Sequence, residues 1–241
     1  MSTEWTRLPV LFVILIAALL LTGCPAPVPP TPTVVPASPT PASPTPATPT
    51  PTPAPTAPAG WTAHQSGDVT ISLPVDWEVL ALTQGDLQAV FAEYQKSNPE
   101  LAKIIGSAEA LQGVALWAFR TAGGTDTAFA DNLNIRRSPL GSQKITTMDE
   151  VLPAIIDQYR QLGFEVGVTE TNLQIGGYPA AHLAYSYPIV LADDTTTKLN
   201  GQQYLVATPT DLWILSYSAT PGSEDVLKPV FEQSAESFRV K

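Results

Sequence analysis

The chain of 241 residues has few of the side chains that most often carry chemistry. It contains one cysteine and two histidines. A single cysteine can form neither an intrachain disulfide nor a cysteine-based metal site. Basic residues are also scarce, with 12 Lys and Arg against 22 Asp and Glu, which gives a formal net charge of −10. Because phosphate groups are bound by clustered cations, we expect no nucleic-acid partner.

Motifs typical of enzymes and metal sites are absent as well. The sequence has no Gly-x-Ser-x-Gly elbow, no Walker-type loop and no His-Glu-x-x-His helix. Asp193 and Asp194 offer oxygen atoms that suit Ca²⁺, but the spaced acids and the glycine of an EF-hand loop are missing, so an acidic loop is the better interpretation. We therefore expect no metal, no cofactor and no enzymatic activity.

The first 23 residues have the pattern of a secretory signal. Residues 8–21 form an apolar run of 14 residues, whereas a helix that spans a membrane needs about 20. The following residues Leu21, Thr22, Gly23 and Cys24 resemble the lipobox of bacterial lipoproteins. That resemblance implies cleavage before Cys24 and a diacylglycerol group on its sulfur. The alternative is an ordinary secretory signal with a cysteine near its cleavage site.

A proline-rich segment follows the lipobox. Residues 24–60 hold most of the 25 prolines, alternate them with Thr and Ala, and carry no charged side chain. Such a sequence favours polyproline II and cannot bury enough apolar surface to form a core. At ~3.1 Å per residue it could extend on the order of 110 Å. We therefore predict a stalk that holds a folded domain away from the membrane, with the protein anchored to the cell membrane on its extracytoplasmic side.

Residues 61–241 show the mixed pattern of a folded domain. Strand-like apolar patterns occur at residues 69–73, 77–82, 114–119, 132–136, 164–175, 178–187, 203–208 and 212–218. Helical spacing of apolar residues occurs in segments that begin near residues 83 and 98, at residues 151–162 and at residues 226–238. Gly176-Gly177 predicts a tight hairpin, and a change of apolar parity between Val168 and Leu173 predicts a bulge. These patterns predict an α+β domain with a mainly antiparallel sheet.

Several short stretches of this domain resemble the Mog1/PsbP-like domains. Residues 71–77 (ISLPVDW) are similar to their opening strand, residues 131–135 (DNLNI) to their second-strand signature, and residues 177–181 (GYPAA) follow in the expected order. The resemblance implies an antiparallel sheet with helices on both faces. It also implies a non-enzymatic role, because known members are photosystem accessory subunits, a small-GTPase-binding factor and envelope lipoproteins. The family has no shared catalytic residue that could be assigned here.

Four residues are the candidates for ligand contact. Asn132, Asn134 and Arg136 alternate with apolar residues and would form a polar strip on one strand face. The alternative is an ordinary solvated sheet face. His182 lies between Ala181 and Leu183 in a strand pattern, where a half-buried structural histidine is the simpler interpretation.

The leading functional hypothesis is a lipid-anchored, non-enzymatic binding or accessory domain. Its partner would be an envelope protein complex or a small ligand. Two alternatives remain: an envelope hydrolase with an unrecognised site around His182, and a structural or adhesive surface lipoprotein. A concave pocket lined by His182 and a carboxylate would favour the hydrolase.

Overall fold

The computed structural model describes residues 57–81, 92, 96, 113–121, 131–190 and 196–241. The signal peptide, Cys24 and nearly all of the predicted stalk lie outside the described residues. So do most of the helical patterns that begin near residues 83 and 98, together with Asp193 and Asp194. These predictions remain predictions.

A seven-stranded antiparallel sheet forms the centre of the described structure. Its strands lie in the order β3-β4-β5-β9-β8-β7-β6, and every neighbouring pair is antiparallel. The strands are β3 (Trp77–Ala81), β4 (Val114–Arg120), β5 (Asn132–Pro139), β6 (Glu165–Ile175), β7 (Tyr178–Val190), β8 (Thr196–Ala207) and β9 (Asp211–Ala219).

A smaller sheet joins the start of the described domain to its end. It consists of β1 (Trp61–Ser66), β2 (Val69–Pro74) and β10 (Arg239–Val240), with β2 in the middle. The last residue also takes part, because the Lys241 amide donates a hydrogen bond to the Asp68 carbonyl at 2.9 Å. The sequence patterns predicted β2 but neither of its partner strands.

Two helices of the described part of the chain cover opposite faces of the large sheet. Helix α1 (Leu152–Gln161) packs Leu152, Ile155 and Tyr159 into one core, which we call the α1 face. Helix α2 (Glu224–Ser237) packs Leu227, Phe231 and Ala235 into a second core on the other side, the α2 face, where β2 also contributes side chains. Strand β8 shows the division clearly, because Leu205 belongs to the α1 face whereas Tyr204 and Val206 belong to the α2 face.

The α+β class with an antiparallel sheet and helices on both faces is thus confirmed. The two-residue hairpin at Gly176-Gly177 is also present, with φ values of 62° and 85° that suit glycine in a tight turn. The predicted bulge lies in β6, where the pairing with β7 shifts between Val166 and Thr169 and again between Glu170 and Leu173. Each shift adds one residue to β6, so the two together preserve the alternation of faces, and Val166 faces the α1 core whereas Leu173 faces the α2 core.

The position of Pro153 explains where α1 begins. A short 3₁₀ turn (Met148–Glu150) precedes the helix, and Thr147 caps this turn in a capping box with Glu150. The regular helix then begins at Leu152, which places Pro153 in the first turn, where its missing N–H has no helical partner to lose. The capping box thus marks the start of the 3₁₀ turn, and Pro153 marks the start of the α-helix that follows it.

Helix α2 differs from its sequence pattern in two ways. Val226 was expected on the apolar stripe, but its side chain is 66% exposed. Pro229 lies inside the helix, which already runs from Glu224, so it does not mark the first regular turn. The helix directs Leu227, Phe231 and Ala235 into the core, and Val226 lies one position away from that stripe.

Candidate functional site

The α2 face carries an open cleft of about 330 Å³. It lies between β6, β7 and β8 and the N-terminal part of α2. Small residues form its floor, namely Gly167 on β6 and Ala184 on β7, which face each other across the strand pair. Because neither residue projects a large side chain, the sheet surface stays open at this point. The volume lies within the range of small-molecule sites, which is roughly 300–1,000 Å³.

Polar side chains surround this floor. The described lining residues that carry polar groups are Glu165, Ser186, Asn200, Gln202 and Glu224. Antiparallel pairing explains their convergence: Ser186 lies opposite Asn200, and Ala184 lies opposite Gln202. Side chains of directly opposed residues lie on the same face of a sheet, so the two strands present these groups together.

Glu224 is held in place by hydrogen bonds. The Asn200 Nδ2 atom donates to Glu224 Oε1 at 2.6 Å, and the Gly222 amide donates to Glu224 Oε2 at 2.7 Å. These contacts fix the first turn of α2 against β8. The carboxylate therefore has a defined position at the cleft, and its side chain forms part of a rigid wall.

At the opposite edge, Glu165 forms an ion pair with Lys198. The Lys198 Nζ atom lies 2.9 Å from Oε1 and 2.7 Å from Oε2 of Glu165, and Ser186 Oγ donates to Oε2 at 3.4 Å. The hydrogen bond and the charge of Lys198 lower the pKa of Glu165. The pair is exposed to solvent, so it contributes little to stability and more to the local charge pattern.

The cleft is acidic in character. Two carboxylates line it, and no Lys or Arg occurs among its described lining residues. Lys198, which lies beside Glu165 at the rim, is already paired with that carboxylate. The net charge of −10 on the whole chain acts in the same direction. An anionic ligand would meet repulsion here, whereas a neutral or positively charged hydrogen-bonding ligand would not.

His182 lies on the same face as the cleft but is packed inside the protein. It is 7% exposed, and its ring stacks on Tyr204 with 4.7 Å between centroids. Burial lowers its pKa, opposed by the charges of Glu170 and Glu232 and by a hydrogen bond with Gln202, while Lys228 lowers the pKa further. Its Nε2 atom has no hydrogen-bond partner among the described residues.

The arrangement around His182 lacks the orienting partner of a catalytic histidine. A general base is normally held by a carboxylate and lies within reach of a nucleophile. The one hydrogen bond assigned to His182 in the described structure involves the Gln202 amide. Gln202 lines the cleft, and its Oε1 also accepts a long hydrogen bond of 3.5 Å from Tyr204. His182 therefore supports a cleft residue and does not itself line the cleft.

Asn132, Asn134 and Arg136 do not join this site. They project from β5 toward the α1 face, on the other side of the sheet from His182. The alternative of a solvated sheet face is wrong for them, because they are 5%, 3% and 6% exposed. The dry surroundings lower the pKa of Arg136 to about 10, so its guanidinium stays charged at neutral pH. The sequence showed the alternation but not which elements cover that face.

Local sequence patterns do not mark the cleft residues. Gly167, Ala184, Ser186, Asn200 and Gln202 belong to three strands and come together only through the β6-β7-β8 pairing. One signal was available: Gly167 and Ala184 are small residues in long strand patterns, where larger side chains are the rule. That signal alone does not distinguish a ligand site from a close backbone contact.

In the part of the chain that the structure describes, no cluster of three or more His, Cys, Asp and Glu side chains has the arrangement of a metal site. Within the same residues, no helix has both the length and the apolar character needed to cross a membrane.

No family model and no curated protein sequence matches the chain. Solved structures do show similarity of fold. PsbP (CyanoP) of Synechocystis sp. PCC 6803 is 14% identical with a TM-score of 0.46, over 76% of this chain and 94% of that one. LpqN of Mycobacterium tuberculosis, described as involved in cell envelope biogenesis, is 14% identical with a TM-score of 0.42, over 75% and 90% of the two chains.

A third similar structure is PA94 of Pseudomonas aeruginosa, described as a protein of unknown function and putative regulator. It is 12% identical with a TM-score of 0.38, over 74% of this chain and 95% of that one. The first of these structures belongs to the group that the sequence motifs resemble. All three similarities concern the course of the chain and do not bear on what this protein binds.

Proposed function

We propose that this protein is a lipid-anchored, extracytoplasmic binding domain that holds a small polar ligand in the cleft of the α2 face. The ligand is neutral or positively charged and forms hydrogen bonds with the amide and hydroxyl groups of Gln202, Asn200 and Ser186. The observation that carries this proposal is the cleft itself, which combines an open floor with polar side chains from three strands and a helix.

A binding role fits the chemistry of the cleft better than a catalytic role. Its two carboxylates, Glu165 and Glu224, are each engaged by hydrogen bonds, and the pKa of Glu165 is lowered, which does not suit a general acid at neutral pH. His182 is held by stacking on Tyr204 and is not oriented by a carboxylate in the described structure. The groups of the cleft can hold a ligand, but they offer no activated nucleophile.

The anchor and the stalk explain how such a domain would work. Two or three acyl chains give stable attachment to a membrane, since each buried methylene contributes ~0.8 kcal/mol. The proline-rich stalk would then let the domain search the space above the membrane while it stays attached. In this proposal the protein presents or retains its ligand near the envelope, alone or for a partner complex.

The charge preference of the cleft can be tested with fragments. Ligand-observed NMR on the full-length protein would use small, acyclic polar fragments sorted into neutral, cationic and anionic sets of equal size. We expect hits among the neutral and cationic fragments, and we expect Ala184→Leu to abolish them because the new side chain fills the floor. Ala63→Leu on β1 is the matched control, since Ala63 is an exposed strand residue outside the cleft. Hits that are mainly anionic, or that survive Ala184→Leu, would refute the proposal.

The anchor can be tested independently of the cleft. Cys24→Ala should leave an unprocessed precursor and abolish labelling by a fatty-acid probe in cells, because Cys24 is the only cysteine in the chain. Labelling that persists at the same level in the variant would rule out lipidation at this position.

A further inference from the structure

The α1 face contains a second, separate cavity. It encloses about 160 Å³ between α1, the 3₁₀ turn that precedes it, and strands β5, β8 and β9. Most of its wall is apolar, with contributions from Leu140, Ile155, Leu205, Leu212 and Ile214. Its lining residues Gln203 and Leu205 face the α1 side of the sheet, whereas the polar cleft residues Gln202, Asn200 and Ser186 face the α2 side.

The size of the cavity limits its occupant. Apolar cavities of about 150 Å³ stay dry and can bind a molecule as small as benzene. A cavity of similar volume here has room for one six-membered ring, but not for a long acyl chain or a nucleotide. Its apolar wall favours an occupant that is mostly hydrocarbon.

The buried side chain of Gln203, in the wall of the cavity, has one atom without a hydrogen-bond partner among the described residues. Gln203 is 2% exposed and lines the cavity. Its Nε2 atom donates to Ser216 Oγ at 3.0 Å, whereas its Oε1 atom has no hydrogen-bond partner among the described residues. Leaving a buried carbonyl oxygen unsatisfied is unfavourable, so an occupant that donates a hydrogen bond would be stabilised here.

Tyr159 also lines the cavity and lies beside Gln203. Burial raises the pKa of the Tyr159 hydroxyl, and a hydrogen bond with Gln203 acts in the opposite direction.

The charge at the mouth of the cavity limits which ligands can enter. Gln143 and Glu150 are exposed lining residues at the edge formed by the 3₁₀ turn. The Glu150 carboxylate is fixed there, since Thr146 Oγ1 donates to it at 2.7 Å and the Thr147 amide donates to it at 3.3 Å. Those hydrogen bonds lower the pKa of Glu150, so the mouth is negatively charged at neutral pH. An anionic ligand of the same size would be disfavoured.

We propose that this cavity binds a small, uncharged ring compound with a single hydroxyl group, of which phenol is the simplest example. The ring fills the apolar space, and the hydroxyl donates a hydrogen bond to Gln203 Oε1. This site is independent of the proposed function of the cleft, so either proposal can fail without the other.

The test is a methyl-resolved NMR titration of the full-length protein with phenol, benzene and benzoate. The full-length protein with its lipid anchor is kept in detergent, and detergent also takes up apolar probes. The free concentration of each probe is therefore measured by dialysis against a buffer that contains the same detergent without protein. Saturable shifts at the Ile155, Leu205 and Ile214 methyl groups are expected with phenol. We expect benzene to bind ~2- to 10-fold more weakly, as for the loss of one hydrogen bond, and benzoate not to bind.

Two variants make the result decisive. Gln203→Leu should remove the advantage of phenol over benzene, and Ile155→Phe should abolish the binding of both by filling the cavity from α1. Ala184→Leu on the opposite face is the control and should leave phenol binding unchanged. Shifts that fail to saturate, equal affinity for the three probes, or a phenol preference that survives Gln203→Leu would overturn the proposal.

Discussion

Among the described residues, one helix covers each face of the large sheet, but the two faces differ in how completely they are closed. The α2 face has a continuous core around Phe231 and Tyr217, and then opens into a polar cleft at the end of the sheet near β6. The α1 face closes over an aromatic cluster of Tyr159, Phe164 and Tyr185 and contains a smaller, mostly apolar cavity.

This difference arises from a few small residues. On the α2 face, Gly167 and Ala184 leave space that no described side chain fills. On the α1 face, Gly201 also lacks a side chain, but the ring of Tyr185 from the neighbouring strand occupies the space above it. A glycine in a strand therefore serves close packing on one face and an open site on the other.

The largest loss of stability is expected for a substitution in the buried side of α2. Phe231 is 2% exposed, stacks on Tyr217 at 4.8 Å between centroids, and meets the edge of Trp77 at 6.3 Å. Phe231→Ala should lower the free energy of unfolding by about 3–5 kcal/mol, because it removes this ring and leaves a cavity. Val226→Ala, an exposed position on the same helix, should change it by less than about 0.5 kcal/mol. Chemical denaturation measures the free energy of unfolding of both variants. Equal losses would show that α2 does not pack on the sheet through Phe231.

The two strand glycines should respond differently to alanine. A Cβ atom on Gly201 would overlap the ring of Tyr185, which cannot move freely because it packs against Tyr159 and Phe164 at 5.2 and 5.5 Å between centroids. Gly201→Ala should therefore destabilise the protein by about 1–3 kcal/mol. At Gly167 the nearest atom, the carbonyl oxygen of Ala184, would lie 3.6 Å away, so Gly167→Ala should be neutral or slightly stabilising. Similar melting temperatures for the two variants would contradict the contrast between the faces.

A smaller effect is expected from the buried hydrogen bond between α2 and the sheet. The Tyr217 hydroxyl donates to Ser234 Oγ at 3.0 Å, and both side chains are fully buried. Tyr217→Phe should cost about 1 kcal/mol, because it removes the bond and leaves the serine hydroxyl without this partner. The double variant with Ser234→Ala should lose less free energy of unfolding than the two single variants lose together. Strict additivity in this double-mutant cycle would argue that the two groups do not interact.

The smallest effect is a dependence of stability on pH. Burial lowers the pKa of His182 in the folded protein below 6.5, its ordinary value. Below about pH 6.5 the unfolded chain then binds more protons than the folded one, so stability should fall as the pH drops and should be insensitive to this group above that value. His182→Gln should reduce the loss of melting temperature between about pH 7 and pH 5. Burial also lowers the pKa of His64, but this residue on β1 is only half-buried, so His64→Gln is the matched comparison and should have a weaker effect.

Much of the fold could be predicted from local patterns. The strands that carry alternating or continuous apolar residues, the Gly176-Gly177 hairpin and the bulge in β6 all follow from short-range rules. Strand β1 could not be predicted in this way, because its sequence from Trp61 to Ser66 shows no apolar alternation. It is a strand because β2 beside it supplies hydrogen-bond partners along its whole length.

The site was much less predictable than the fold. Asn134 and Arg136 alternated with apolar residues as an exposed strand would, yet both are buried on the α1 face. His182 was placed correctly in a strand, but its neighbour across the sheet, Tyr204, lies 22 positions away in the chain and could not be inferred from spacing. The cleft depends on the register of three strands and on the packing of α2 against them. Long-range pairing of this kind cannot be predicted from local sequence patterns.

The central claim is that small, acyclic polar ligands bind in the cleft of the α2 face and not in the apolar cavity of the α1 face. The most direct test is a ¹H–¹⁵N chemical-shift map of the full-length protein with the tightest neutral or cationic fragment from the charge-sorted set. We predict the largest changes at the amides of Gly167, Ala184, Asn200 and Gln202, and none beyond noise at Leu212 on the opposite face. Changes that centre on the α1 face, or that spread evenly over both faces, would contradict the account.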